Sequence, residues 1–272
     1  MEYIHQSLIV NGNMVQNTIS SPDTKTVIYE VLRVVDGIPL FIEKHLKRLH
    51  SSALLLNKIL PFSVSEFKNL INTLINENKV FIGNVKISVF YNENENPVFS
   101  IIGFIPHAYP SADEYQFGVK TVSSINQRLN PNAKVQNTKL RNELNEFMHS
   151  EKAYEAVLVH PDGYITEGSR SNLFFILKNR IFTAPDHQVL SGITRENVIE
   201  LCRVSGYDLE LSPVYYKDLE KADAAFITGT SPKVLPIRQI DNLEFRLPHP
   251  IISDLLEKFN KLIIDYIQTQ RK

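Results

Sequence analysis

Alternation of apolar and polar positions marks the first part of the chain, and each alternating run ends at a turn signal. Residues 6–10 (QSLIV), Asn11-Gly12 and a return strand predict a hairpin; residues 26–41 (TVIYEVLRVVDGIPLF) predict another, turning at Asp36-Gly37. The period then lengthens, with Ile42, Leu46, Leu49, Ala53 and Leu56 at helical spacing over residues 42–57. Ser63 with Glu66 is a capping-box sequence, and Phe67, Leu70, Ile71, Leu74 and Ile75 supply the buried stripe of the helix it starts. Residues 85–91 (VKISVFY) and 98–105 (VFSIIGFI) read as strands paired around a polar NENENP turn. Residues 106–118 (PHAYPSADEYQFG) combine prolines with little periodicity. They read as a linker between a small domain, residues 1–110, and a larger one, residues 118–272.

Beyond the linker strands dominate, with helices expected near residues 138–153 and 194–205. YEAVLVH (154–160) runs to Asp162-Gly163 and YITEG returns; NLFFIL (172–177) runs to Lys178-Asn179-Arg180 and IFTAP returns. The chain closes with a helix whose Ile251, Ile252, Leu255, Leu256, Phe259, Leu262, Ile263 and Tyr266 share a face. There is no internal repeat and no low-complexity segment. Strands and helices mixed in both parts predict an α/β (α+β) fold of two domains.

Chemistry concentrates between Tyr154 and Asn197. Glu167 sits where a strand ends, and Ser191-Gly192-Ile193-Thr194 opens a helix whose free N–H groups can hold an anion. One acid and one anion-binding helix start suit a cofactor with both a basic ring nitrogen and a phosphate. Composition acts mainly by exclusion. A net charge of −1 supplies no basic field for nucleic acid, and 43% hydrophobic residues are ample for a globular core. The lone cysteine, Cys202, rules out an intramolecular disulfide; it falls on the apolar side of a helix and reads as an inert buried thiol in a reducing cytoplasm. MEYIHQSLIVNG lacks the basic start and apolar core of a signal peptide, and no uncharged apolar run reaches membrane-spanning length, so a soluble cytoplasmic protein is expected. His50, His160, His187 and His249 lack metal-ligand spacing, and no metal site is expected.

Thr166-Glu167-Gly168-Ser169, Ser171-Asn172-Leu173-Phe174 and Gly192-Ile193-Thr194-Arg195, in this order and spacing, resemble the class IV aminotransferases, the pyridoxal-phosphate enzymes of fold type IV. That family includes branched-chain aminotransferases, D-amino-acid aminotransferases and 4-amino-4-deoxychorismate lyases. The resemblance extends over nearly the whole chain. Residues 29–56 resemble its N-terminal hairpin and His-Leu-x-Arg-Leu helix, and residues 222–237 (ADAAFITGTSPKVLPI) resemble the strand and loop that close over the cofactor phosphate.

The resemblance implies pyridoxal 5′-phosphate (PLP) as cofactor and a set of roles for individual residues. A lysine in a Lys-x-x-Asn pattern attaches the cofactor and, when freed, serves as general base at the substrate Cα. Lys134-Val135-Gln136-Asn137 fits; Lys139-Leu140-Arg141-Asn142 repeats the pattern closer to Glu167 and is the competing choice. Glu167 would keep the ring nitrogen protonated by charge pairing. Arg48, the backbone N–H groups of Ile193 and Thr194, and the Thr230 hydroxyl would hold the phosphate. His45 reads as a structural hydrogen-bonding residue. Tyr29, Arg33 two pleats along the same face, and Ser231 are implied to bind substrate.

The chain also departs from the family's patterns. SSPDTKTVIYE replaces a glycine-rich stretch, KISVFYNENEN lacks the Arg-x-His clamp of D-amino-acid enzymes, and KVQNTKLRN lacks the tyrosine of branched-chain enzymes. The amino acid is therefore left open. The leading reading is an aminotransferase acting between an amino acid and a 2-oxo acid. The alternative is a lyase that eliminates pyruvate from aminodeoxychorismate to give 4-aminobenzoate, which the chain length and the Lys-x-x-Asn pattern also suit. A non-catalytic relative is opposed by the joint presence of Lys134, Glu167 and Arg48. A homodimer is expected, both from the resemblance and because VKISVFY and VFSIIGFI read as apolar on successive residues, leaving a sheet with a second apolar face to bury.

Overall fold

The computed structural model describes residues 3–18, 22–128 and 130–271, so Ser20 and Ser21, which open the SSPDTKTVIYE stretch, lie outside the described residues. The chain divides into two compact units. The first comprises Met1–Ala108, Ala133–Gln136 and Ile263–Lys272, and the second Tyr109–Asn132 and Asn137–Leu262. The expected division put the Lys134 segment and the C-terminal residues with the larger domain, whereas residues 133–136 and 263–272 make their contacts in the first unit.

In the first unit the predicted hairpins become β1 (Ile4–Val10) with β2 (Asn13–Gln16), and β3 (Thr26–Val35) with β4 (Ile38–Pro39). They join β5 (Ile82–Tyr91) and β6 (Phe99–Ile105) in an antiparallel sheet of order β2-β1-β6-β5-β3-β4. Helices α1 (Ile42–Leu55) and α2 (Val64–Asn78) pack their apolar stripes on Ile28, Leu32, Val34, Val85, Ile87 and Val89. Each such side chain, fully buried, contributes ~1.5–3 kcal/mol. The Ser63–Glu66 capping box starts α2 as its sequence predicts, each side chain pairing the other's backbone N–H.

The face of the sheet opposite the helices does bury a second apolar cluster, with Leu8, Val10 and Ile101, but on β5 that face is mostly polar. It carries Asn84, Lys86, Ser88 and Phe90, all buried within this one chain. Strand alternation explains this: Val85, Ile87, Val89 and Tyr91 take the helix side, and the polar residues between them point the other way.

The second unit is built on β7 (Val119–Ile125), β8 (Glu155–Val159), β9 (Ile165–Gly168), β10 (Asn172–Leu177), β11 (Arg180–Thr183), β12 (Leu209–Leu211), β13 (Ala224–Gly229), β14 (Lys233–Ile240) and β15 (Leu243–Glu244). Its path is β12-β11-β10-β13-β14-β7-β8-β9, and β9 also bridges β10 through Glu167 opposite Asn172. Strands β10, β13, β14, β7, β8 and β9 thus close into a ring around Val157, Ile165, Leu173, Phe175, Ile227 and Leu235. The supposed linker contains a helix, α3 (Ala112–Phe117), started by a Ser111–Glu114 capping box. The prolines just before it hide this short element from a periodicity reading. Helices α4 (Thr138–Ser150), α5 (Ile193–Val204) and α6 (Pro250–Gln270) fall where the sequence places them. Among the described residues no helix is long and apolar enough to cross a membrane.

Candidate active site

In the first unit, residues 134–136 run beside β3 as an added strand. Tyr29 N–H donates to the Lys134 carbonyl (3.1 Å), Gln136 N–H donates to the Val27 carbonyl (2.9 Å), and Ile28 bridges Val135. Lys134 N–H donates to Ser52 Oγ of α1 (3.1 Å). The backbone of Lys134 is therefore held from both sides, and its Nζ lies 4.8 Å from the centroid of the Tyr29 ring. Lys86 Nζ stands 5.3 Å from the same centroid and donates to Gln136 Oε1 (2.9 Å). Tyr29, Val31 and Arg33 pair with Ser88, Lys86 and Asn84 respectively, so the predicted spacing of Tyr29 and Arg33 puts both on the polar face of this sheet. The competing Lys139 and its Asn142 are both exposed on α4. Asn137, the asparagine after Lys134, has a structural task of its own: its side chain accepts from Leu140 N–H (3.0 Å) and caps α4.

Arg48 is buried, not the solvent-facing arginine its helix position would give by default. It lies one turn from Ser52 and forks onto Glu30, with Nε to Oε1 at 2.7 Å and Nη2 to Oε2 at 2.8 Å. His45 Nδ1 meets Oε2 of the same carboxylate at 2.8 Å. Burial pushes His45 down despite the Glu30 carboxylate, so the ring is neutral and its Nδ1–H is the donor, in keeping with the structural role read from the sequence. Glu30 escaped the sequence reading, although a carboxylate in phase with Ile28, Leu32 and Val34 is a signal for it.

Burial alone would push the Glu30 carboxyl up, but the Arg48 charge and the Arg48 and His45 hydrogen bonds outweigh it and hold the group at about 2, against an ordinary 4.5. A depressed carboxylate stabilises the fold above its ordinary titration range, and that stability is lost as pH falls through about 2. The contribution is on the order of 3 kcal/mol. Glu30→Gln is expected to cost roughly 3–5 kcal/mol at neutral pH by orphaning Arg48. Its melting temperature should also fall less than the wild type's between pH 5 and pH 2, since the titrating group is gone; parallel curves would remove the assignment.

In the second unit, the bridge that closes the ring places Glu167, 2% exposed, beside the start of α5. Leu190 N–H donates to Glu167 Oε2 (3.2 Å), and Asn172 Nδ2 donates to the Leu190 carbonyl (2.9 Å). Gly192 is the N-cap of α5 and, having no side chain, contributes no side-chain cap. A Cβ at Gly192 would run into Asn172 Oδ1, so only glycine allows this close approach. Ile193 and Thr194, both buried, carry the first N–H groups of the helix. Thr228 pairs with Asn172, and β13 ends at Gly229, so Thr230 and Ser231 follow at the same end of the sheet. Thr228 Oγ1 is itself buried and makes no hydrogen bond among the described residues.

Three residues that support this arrangement were not assigned from the sequence. Glu155 accepts from Ser169 N–H (3.1 Å), Ser169 Oγ (2.5 Å), Arg170 N–H (3.2 Å) and Ser171 Oγ (2.8 Å), pinning the turn after Glu167. Arg195, 1% exposed, reaches Asp186 (2.6 Å) and the Ala184 carbonyl (2.8 Å), fixing the segment that leads into α5. Arg128 Nε lies 3.2 Å from Glu167 Oε1. A charged residue at a strand start and the arginine of Gly-Ile-Thr-Arg were visible signals for the first two; Arg128 lies in a loop and had none.

Residues 27–240 match the family model for amino-transferase class IV. The chain is a class IV aminotransferase. It is 30% identical over 223 residues to the D-alanine aminotransferase of Bacillus licheniformis, covering 79% of this chain and 78% of that one. It is 28% identical over 233 residues to the branched-chain-amino-acid aminotransferase of Pseudomonas aeruginosa, covering 79% and 76%. The solved branched-chain amino acid aminotransferase of Escherichia coli superimposes with a TM-score of 0.85 at 22% identity, over 96% of this chain and 95% of that one. That likeness establishes the type IV fold with its two sheets.

The aminotransferase takes PLP as its cofactor. The donor set of each unit fits that group. In the first unit a buried arginine suits a phosphate; in the second a helix start with glycine at its N-cap suits one too, a buried hydroxyl without a hydrogen bond among the described residues lies at the end of β13, and a buried carboxylate suits a basic ring nitrogen.

Proposed function

We propose that this aminotransferase moves an amino group between an amino acid and a 2-oxo acid with Lys134 as its catalytic lysine. The anchoring of Lys134 carries this reading: its carbonyl is held by Tyr29, its N–H by Ser52, and its side chain lies against the Tyr29 ring. A base that must return repeatedly to one carbon atom needs such a fixed backbone, and Lys139, exposed on a helix, has none of it. Bound PLP supplies an electron-poor ring that accepts the electron pair left at the substrate Cα. Lys134 Nζ removes the Cα proton and returns it on the cofactor side. Glu167 pairs with the ring nitrogen and keeps it protonated. Arg48 in the first unit, and the N–H groups of Ile193 and Thr194 with Thr230 in the second, are the groups each unit would offer to the phosphate; Tyr29 and Arg33 in the first and Ser231 in the second are those each would offer to the substrate.

D-alanine and branched-chain amino acids, named for the two relatives above, are the donors to test first. Single-turnover mixing of the yellow protein with L- and D-amino acids should convert bound PLP to the pyridoxamine form with one stereochemical series. Pyruvate release from aminodeoxychorismate, with no half-reaction for any amino acid, would replace this reading with the lyase. The transaminase relatives give that alternative no support.

A homodimer in the cytoplasm completes the proposal. The first unit leaves Leu54 and Leu55, at the end of α1, and Phe81 and Ile82, at the start of β5, between 57% and 69% exposed, two apolar pairs that a partner copy could bury. The single thiol, Cys202, is buried and is pushed up to about 12 by burial, so it is inert in a reducing compartment. Light scattering at micromolar concentration should give twice the 31.2 kDa chain mass; an active monomer would end the dimer reading.

A further inference from the structure

Among the groups that hold Glu167, one is a cation. Leu190 N–H takes Oε2 at 3.2 Å, and Arg128 Nε faces Oε1 at 3.2 Å. Arg128 is itself fixed, because its Nη2 donates to the carbonyl of Ser169 at 2.8 Å, two residues beyond Glu167 on the same turn. That turn is pinned from its other side by Glu155. The Glu167 side chain is 3% exposed and that of Arg128 20% exposed, so water screens the pair only weakly.

A carboxyl group this buried has two ways to meet a basic ring nitrogen. As a carboxylate it accepts from a protonated ring; as a neutral acid it donates to an unprotonated one. Burial without a counter-charge favours the neutral acid, and a guanidinium at hydrogen-bond distance favours the carboxylate. The two arrangements use the same atoms and differ only in where one proton rests, but only the protonated ring is a strong electron sink.

We infer that Arg128 is a positioning residue acting through Glu167: its guanidinium keeps the carboxylate charged and aimed, and so decides that the ring nitrogen it meets carries the proton. This rests on the reading of Glu167 as the partner of that nitrogen. Arg128 needs no contact of its own with cofactor or substrate. The turn carbonyl it also binds couples its position to that of the Glu167 backbone.

The test is the ¹⁵N resonance of the ring nitrogen in protein reconstituted with ¹⁵N-labelled PLP at neutral pH, alongside the PLP dissociation constant. In the wild type the nitrogen should be protonated. In Arg128→Met the protonated fraction should fall ~tenfold or more, the scale set by removing a cation next to a buried carboxylate, with PLP still bound. Arg128→Lys should restore it in part, because it returns the charge without the fork. Arg128→Gln keeps a donor for the Ser169 carbonyl and serves where the Met variant is unstable. A protonated nitrogen in both neutral variants, with Glu167→Gln deprotonated, would overturn the role of Arg128 and leave Glu167 intact. A protonated nitrogen in Glu167→Gln, or a neutral one in the wild type, would overturn the Glu167 reading and this inference with it.

Discussion

Lys134→Ala is expected to abolish turnover and the borohydride-trappable attachment of PLP, while Lys139→Ala leaves both nearly unchanged. Loss of a positioned general base alone costs ~10²–10⁴-fold, and loss of the attachment point adds to it. The fold should survive, because what holds this segment is the backbone of residues 134–136 on β3 and the Lys134 N–H on Ser52, none of which needs the lysine side chain. Lys139 is exposed in the first turn of α4, whose cap is Asn137, so its removal touches neither the cap nor a buried contact. Borohydride reduction followed by peptide mapping separates the two lysines. A labelled peptide bearing Lys139 would move the catalytic role to α4.

Glu167→Gln should retain PLP and lose activity by ~10²-fold or more, an ordinary loss for one buried electrostatic group at a reacting centre. The amide keeps the shape of the side chain, and its oxygen can still accept from Leu190 N–H. It cannot carry the charge that pairs with a protonated ring nitrogen. Spectroscopic titration should therefore show PLP binding with a similar dissociation constant while kcat falls. Unchanged kinetics in a PLP-loaded variant would dismiss the ring-nitrogen role.

Much of the local architecture was legible in the chain. Asn11-Gly12, Asp36-Gly37 and Asp162-Gly163 sit at their turns with glycine at positive φ, because few other residues adopt that conformation cheaply. The Ser63 capping box, the α1 stripe and the start of α5 are likewise local features, decided by residues three or four apart. Ser111 with Glu114 was equally local, but two prolines nearby made its helix look like a linker. The second apolar face expected of this sheet is present only in part: Lys86 and Ser88 of VKISVFY share it with Phe90, and its apolar cluster is completed by Leu8, Val10 and Ile101 of the neighbouring strands.

The sequence by itself determined the family, the fold class and the identities of Lys134, Glu167 and Arg48 as residues to examine, since motif order and spacing survive in one dimension. Only the tertiary structure decided which unit Lys134 joins, that Glu30 and His45 stand behind Arg48, and that Arg128 stands beside Glu167. Such partners are separated by a sequence distance with no period. Arg128 reaches Glu167 because β7 and β8 lie side by side and β9 folds back on β8, and Glu30 meets Arg48 because α1 packs on β3. What makes those pairs is the burial of apolar faces elsewhere in each unit, a collective property that no short window of residues contains.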